Sequence, residues 1–237
     1  MRVALDATPL LGHRTGVGRY VENLVPALLA LPDPPELHLV PFTWRGAKDL
    51  PRFPGASYGE RRVPARLLQQ AWTHLGVPPV EWIAGRCDVF HGTNFVSPPA
   101  RRAGGVVMVH DLAYLHHADT VTPQTLRYRA LVRRALDRGT VVVTPSEAMA
   151  EQVRAEYALP ADRVRATPLG VDPVWFESTP EPSAAPYLLF VGTREPRKDL
   201  PVLLAAHALL RDQDPGTPDL VLAGPAGWQA EGPPPPG

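Results

Sequence analysis

Lysine is almost missing from this chain. Of 24 basic residues among 237, only Lys48 and Lys198 are lysine, and the other twenty-two are arginine. Cysteine is scarcer still: Cys87 stands alone, which excludes an internal disulfide framework. Net charge is missing as well. The 24 basic residues are matched by 24 acidic ones, so no general nucleic-acid-binding surface is expected. No apolar run approaches the roughly 20 residues a membrane helix needs. Asp6 interrupts the opening segment before the apolar stretch of a secretory signal can form. The expected location is therefore cytoplasmic, with contact at a membrane surface left open. Neither a Gly-x-Ser-x-Gly elbow nor a cysteine-based nucleophile pattern occurs. The arginine excess and the 30 prolines read as GC-rich coding, which weakens each proline as a turn signal.

What is present is an alternation of apolar strands and amphipathic helices. Strands are expected at Arg2–Ala7, Leu37–Phe42, Asp88–His91, Gly105–His110, Thr140–Thr144 and Arg163–Thr167. Helices are expected from Tyr20 to Leu29 with Pro26 inside, from Pro64 to Leu75, from Thr122 to Arg138, and from Glu147 to Tyr157 with Ser146 as its cap. Lys48 to Gly59 reads as a Pro- and Gly-rich loop, and Trp72, Trp82 and Trp175 as core residues. The alternation predicts an α/β fold built on a parallel sheet over residues 1–172. Residues 173–186 read as a linker, 187–228 as the start of a second α/β domain, and 229–237 as a Pro-rich tail. The second domain contains about two strands, too few to bury a core of its own, so a truncation within that domain is expected.

Ligands of open parallel sheets bind outside the C-terminal ends of the strands. That places weight on Gly16 and Gly18, on His91 and Asn94, on His110 and Asp111, and on the turn from Gly192 to Lys198. Gly192 and Thr193 end an apolar strand, and Arg197 and Lys198 precede a helix that starts at Asp199. Two cations beside a helix start suit an anion, although a solvated basic turn explains the pattern equally well. His110 follows four apolar residues and precedes an acid, which favours function over a plain core histidine. For His91 and Asn94, a role in binding substrate hydroxyls and a simple polar turn stand level. Gly16-Val-Gly18 is no dinucleotide fingerprint, because the third glycine position is Val21. His116 and His117 match no metal-ligand spacing. Arg61, Arg62 and Arg66 beside the helix from Pro64 raise contact with anionic lipid, against the plainer reading of a solvated helix face.

Several stretches together resemble the retaining nucleotide-sugar glycosyltransferases of the GT4 family, which have the GT-B fold. They are Asp6-Ala-Thr-Pro-Leu-Leu…Thr15-Gly-Val-Gly-Arg-Tyr20, Asp88-Val-Phe-His-Gly-Thr-Asn94, Val109-His-Asp-Leu112, Pro145-Ser-Glu-Ala148, Arg163–Asp172, Val191–Lys198 and Leu220–Trp228. The resemblance implies a Rossmann-like N-terminal, acceptor-side domain and an incomplete C-terminal domain that binds the nucleotide sugar. It implies that Arg197 and Lys198 hold the donor diphosphate, that Gly192 and Thr193 admit the nucleotide, and that Gly16 and Gly18 line the donor cleft. His110, with Asp111, would contact the transferred sugar and the reaction centre. His91 and Asn94 would face the acceptor. The implied reaction moves a hexose, mannose or glucose, to a glycan or lipid-linked acceptor without metal or other cofactor. The Glu-x7-Glu motif of the family's second domain does not occur in this sequence. A non-catalytic acceptor-binding module, or one half of a split enzyme completed by a partner chain, therefore stands as the alternative.

Overall fold

The computed structural model describes residues 1–12, 14–45, 47–179, 185–225 and 227. Residues 180–184 of the expected linker, Trp228 and the tail 229–237 lie outside the described residues. The strands are β1 (Arg2–Asp6), β2 (Glu36–Val40), β3 (Ala56–Tyr58), β4 (Val89–Gly92), β5 (Gly104–Met108), β6 (Val141–Thr144), β7 (Val164–Ala166), β8 (Tyr187–Val191) and β9 (Asp219–Ala223). The helices are α1 (Gly16–Leu29), α2 (Ala65–His74), α3 (Val80–Ala84), α4 (Ala113–His116), α5 (Pro123–Leu126), α6 (Tyr128–Asp137), α7 (Glu147–Tyr157), α8 (Val174–Glu177) and α9 (Leu200–Gln213). They fall into two compact units. One comprises Met1–Leu112 and Gln124–Asp172, the other Ala113–Pro123 and the chain from Pro173 onward.

In the first unit, seven strands form one parallel sheet in the order β3-β2-β1-β4-β5-β6-β7. The sheet is covered on both faces because its strands alternate two apolar sets. Ala4, Val40 and Phe90 point to one face, where Leu68 and Trp72 of α2, Ile83 of α3 and Leu131 of α6 cover them. Phe42 meets the ring of Trp72 edge-on at 5.2 Å, and the Trp72 indole N–H donates to the Pro78 carbonyl at 2.9 Å. Val3, Leu5, Leu37 and Leu39 point to the other face, against Val21 and Val25 of α1. Full burial of a side chain such as Val25 contributes roughly 1.5–3 kcal/mol. Pro26 sits on the exposed side of α1, where water can serve the carbonyl that loses its partner. The helix runs on through it, with the Ala30 N–H bonded to the Pro26 carbonyl at 3.0 Å.

Local chemistry explains where the elements stop. Ser146 caps α7 by accepting from the Met149 N–H at 3.2 Å, as its type and position predict. The Arg163 guanidinium donates to the Leu136 and Thr140 carbonyls at 3.1 and 2.8 Å, serving backbone groups at the end of α6.

Some expectations are corrected. The Lys48–Gly59 loop contains the edge strand β3, which pairs Ala56, Ser57 and Tyr58 with Leu37, His38 and Leu39. Three residues between glycines carry too little periodicity to announce it. The helix expected over Thr122–Arg138 is divided at Arg127 into α5 and α6. Trp82 and Trp175 are not core residues, being 50% and 74% exposed, and the Arg61 guanidinium lies over the Trp82 ring at 4.6 Å. The helix expected to start at Asp199 starts at Leu200, and Asp199 takes a left-handed backbone, with φ and ψ both 47°.

The second unit pairs β8 with β9 in parallel, from Tyr187 opposite Asp219 to Val191 opposite Ala223, with α9 between them in sequence. Its apolar side chains stay exposed, Val191 at 70% and Leu209 at 62% among them. Among the described residues, no helix is long and apolar enough to cross a membrane.

Candidate functional site

The strand order of the first unit reverses direction between β1 and β4, and such a switch point opens a crevice beyond the strand ends. The residues at those ends are polar. Asp6 closes β1, His91 and Gly92 close β4, and His110 follows β5 by two residues. A tight turn joins them. Gly92 is required there, because a Cβ would lie 1.8 Å from the Val96 carbonyl oxygen. Thr93 is fully buried, and its hydroxyl donates to the Asp6 carbonyl at 2.8 Å. The Thr93 carbonyl accepts from Nε2 of His110 at 3.0 Å. Tyr20 and Phe95 meet the His110 ring edge-on, at 5.6 and 5.7 Å. Phe95 also stacks on Tyr128 at 4.7 Å, and the Tyr128 hydroxyl is hydrogen-bonded to the side chain of Asn94.

Burial sets the electrostatics of this cluster. It pushes the Asp6 carboxyl up to about 6, although hydrogen bonds from the Thr8 side chain and backbone pull the other way. Burial lowers His91 to about 4, with neighbouring His110 adding to the effect. It also lowers His110, against the opposing pulls of the Thr93 hydrogen bond and the Asp111 charge. Both imidazoles are therefore neutral near pH 7. Burial raises Tyr20 and Tyr128 to about 12, the Asp6 charge contributing at Tyr128. The cluster thus sets two neutral imidazoles and two phenols on an apolar bed beside the Asp6 carboxylate, a set of polar groups suited to hydroxyls.

The predicted residues divide in their placement. His91, Asn94, His110 and Asp111 come together at this edge, all in the first unit. Nε2 of His91 is buried without a hydrogen-bond partner among the described residues, so it faces protein and not solvent. Gly18 is buried and packed, since a Cβ there would lie 2.7 Å from the Pro9 carbonyl oxygen. Gly16 has open space around it, with nothing within 4 Å of such a Cβ. Asp6, Tyr20, Thr93, Phe95 and Tyr128 were missed as site residues. Asp6, Tyr20 and Thr93 lie within the stretches that carry the family resemblance, whereas Phe95 and Tyr128 have no signal in the sequence.

The second unit holds its own cluster. The turn after β8 packs directly on the turn after β9. The Gly192 N–H donates to the Ala223 carbonyl at 2.9 Å, and the Arg194 N–H donates to the Pro225 carbonyl at 3.2 Å. Gly224, at a φ of 142°, allows this approach, because a Cβ on it would lie 2.1 Å from the Gly192 carbonyl oxygen. A cavity of about 180 Å³ opens here, lined by Phe190, Gly192, Arg194, Leu222, Ala223 and Gly224. The aliphatic end of Lys198 reaches Gly192, its Cε lying 3.9 Å from where a Cβ would stand. Thr193 sits between Gly192 and Arg194 in the same turn. Arg197 is engaged by Glu195 at 2.9 Å, while Lys198 makes no ion pair among the described residues. Nε of Arg194 is buried without a partner among the described residues, which adds a cation to the lining beyond Arg197 and Lys198. Backbone stripped of side chains, an open cavity and two cations form a cradle for an anionic group.

The fold is a Rossmann-like parallel sheet with polar groups at its strand ends, followed by a βαβ unit that carries a glycine-and-cation turn. A profile of Glycosyltransferase Family 4 matches residues 14–175, and the chain belongs to that family. Over 97% of its length the chain is 25% identical to the O-antigen chain mannosyltransferase B of Escherichia coli. It spans 65% of that protein's length.

Proposed function

We propose that this protein moves a hexose from a nucleoside-diphosphate sugar to a glycan or lipid-linked acceptor, with retention of the anomeric configuration. Mannose is the first donor sugar to try, because the Escherichia coli relative is named for mannosyl transfer. In this reading Lys198 and Arg194 hold the donor diphosphate over the backbone of Gly192 and Thr193. Arg197 helps through its charge while it steadies Glu195. As the bond from the anomeric carbon to the phosphate oxygen breaks, negative charge grows on the leaving diphosphate, and these cations stabilise it. The acceptor hydroxyl attacks on the same face, and its proton passes to the departing phosphate oxygen. No divalent metal or other cofactor is needed, because fixed cations supply the charge. His110, with Asp111 beside it, holds the transferred sugar. Gly16 stands at the open entry of α1, and Asn94 lies on the acceptor side.

The observation that carries this reading is the glycine-lined cavity beside Lys198, with the buried, unpaired Nε of Arg194 on its wall. The test is turnover of nucleoside-diphosphate mannose with a mannosylated lipid acceptor, with and without EDTA. Expected are an α-linked product from an α-linked donor and no loss of rate with EDTA. An inverted product, or a rate abolished by EDTA and restored by a divalent cation, would contradict the mechanism. Donor binding without turnover would identify a binding module instead.

A further inference from the structure

We infer that Thr93 and Phe95 are positioning residues for His110, and that they hold its imidazole as the tautomer with the proton on Nε2 and a lone pair on Nδ1. A carbonyl oxygen has no proton to give. The 3.0 Å contact between Nε2 of His110 and the Thr93 carbonyl therefore requires the proton on Nε2. The carbonyl is fixed in turn. Thr93 has no exposed surface, and its hydroxyl ties the turn to the Asp6 carbonyl at the end of β1. The Val96 carbonyl occupies the space beside Gly92, so this turn cannot slide along β4.

Phe95 closes the clamp. Its φ is 60°, a left-handed conformation that a bulky aromatic residue rarely adopts. It is held there by the bond from its N–H to the Met108 carbonyl at 3.0 Å and by stacking on Tyr128. The strained backbone directs the ring edge-on to His110, and Tyr20 meets the imidazole as a second edge-on ring. With Nε2 engaged and the ring held, Nδ1 is the polar atom left for a ligand. His110 then accepts a hydrogen bond from a substrate hydroxyl, and it has no N–H to offer a phosphate oxygen. That consequence rests on the proposed glycosyl transfer, whereas the tautomer belongs to the free protein and is tested without substrate.

The experiment is nitrogen-15 NMR of the histidine side chains in the full chain at pH 7.5, with His110 assigned by the signal lost in His110→Gln. The wild type should show Nε2 protonated, Nδ1 bare, and a slowly exchanging Nε2 proton. Thr93→Val keeps the side-chain shape and removes the tie to Asp6. It should lose that slow proton and shift the His110 titration further downward, because the bond to the Thr93 carbonyl is what opposes the effect of burial, and Thr93→Ser should restore both. Phe95→Leu should speed exchange of the Nε2 proton several-fold. A proton on Nδ1 in the wild type overturns the inference and needs no variant to be seen. An unchanged slow proton and titration in Thr93→Val or in Phe95→Leu removes that residue from the role. Failure of glycosyl transfer with the wild-type tautomer as expected would count against the proposed function and leave the clamp standing.

Discussion

Asp6 and His91 stand at the ends of the paired strands β1 and β4, yet burial makes their pH dependences opposite. Asp6 is raised from its ordinary 3.8 to about 6. Its contribution to stability is whole below 3.8 and is lost as pH rises through about 6. His91 is lowered from 6.5 to about 4, so its contribution is whole above 6.5 and is lost as pH falls through about 4. Each shift corresponds to something on the order of 3 kcal/mol. The two oppose each other across the acid range and flatten the profile. Asp6→Asn separates them, because the amide oxygen can still accept from the Thr8 N–H, which now meets the Asp6 carboxylate at 2.9 Å. In urea unfolding, the variant should exceed the wild type by about 2–3 kcal/mol at pH 7.5 and match it near pH 4. An equal gap at both pH values would contradict the buried, ionised carboxylate. Keeping such a group charged at a cost in stability is what functional sites do. Little of this was legible in the sequence. His110 and His91 announced themselves by following apolar strands. Asp6, Thr93 and Phe95 did not, because a fully buried acid or a left-handed phenylalanine depends on neighbours distant along the chain.

At the scale of elements, the periodic segments were readable and the short ones were not. α1, α2, α7 and six of the seven strands of the parallel sheet follow from 3.6- and 2-residue periodicity. β3 and α3 have three and five residues, too few for a pattern to rise above chance. In the turn after β8 the sequence shows a strand-ending glycine, two cations and a helix start. Geometry redistributes the cations, giving Arg197 to Glu195 and adding Arg194 to the cavity wall. What the structure adds to Gly192 is its partner Gly224: the β8 and β9 turns touch backbone to backbone at these two glycines. Gly224→Ala should force these turns apart, because the contacted atom belongs to the backbone and has no rotamer to escape into. Affinity for a nucleoside diphosphate should fall at least about tenfold, or about 1.4 kcal/mol. The main thermal transition, carried by the seven-stranded sheet, should hold its midpoint. Undiminished affinity in calorimetry would show that the cradle is not the phosphate site.

For the molecule as a whole, the two units differ in kind. The first buries large side chains on both faces of its sheet, with Trp72, Phe90 and Leu5 among the deepest. The second keeps Leu189, Val191, Val202 and Leu209 more than half exposed. The fold class and the family were both legible in the sequence, because motifs in order along most of the chain carry more information than any single site. Which cations are free was not legible, since ion pairing is decided by side-chain geometry. On the proposed function, the glycine-and-cation turn binds the diphosphate of a nucleotide sugar. The most direct test of that binding is calorimetric titration of the full chain with guanosine and uridine diphosphates, beside Lys198→Ala and Arg194→Ala. Binding by the wild type and a loss of at least about tenfold in each variant are expected. Equal binding by wild type and both variants would contradict diphosphate binding at this turn.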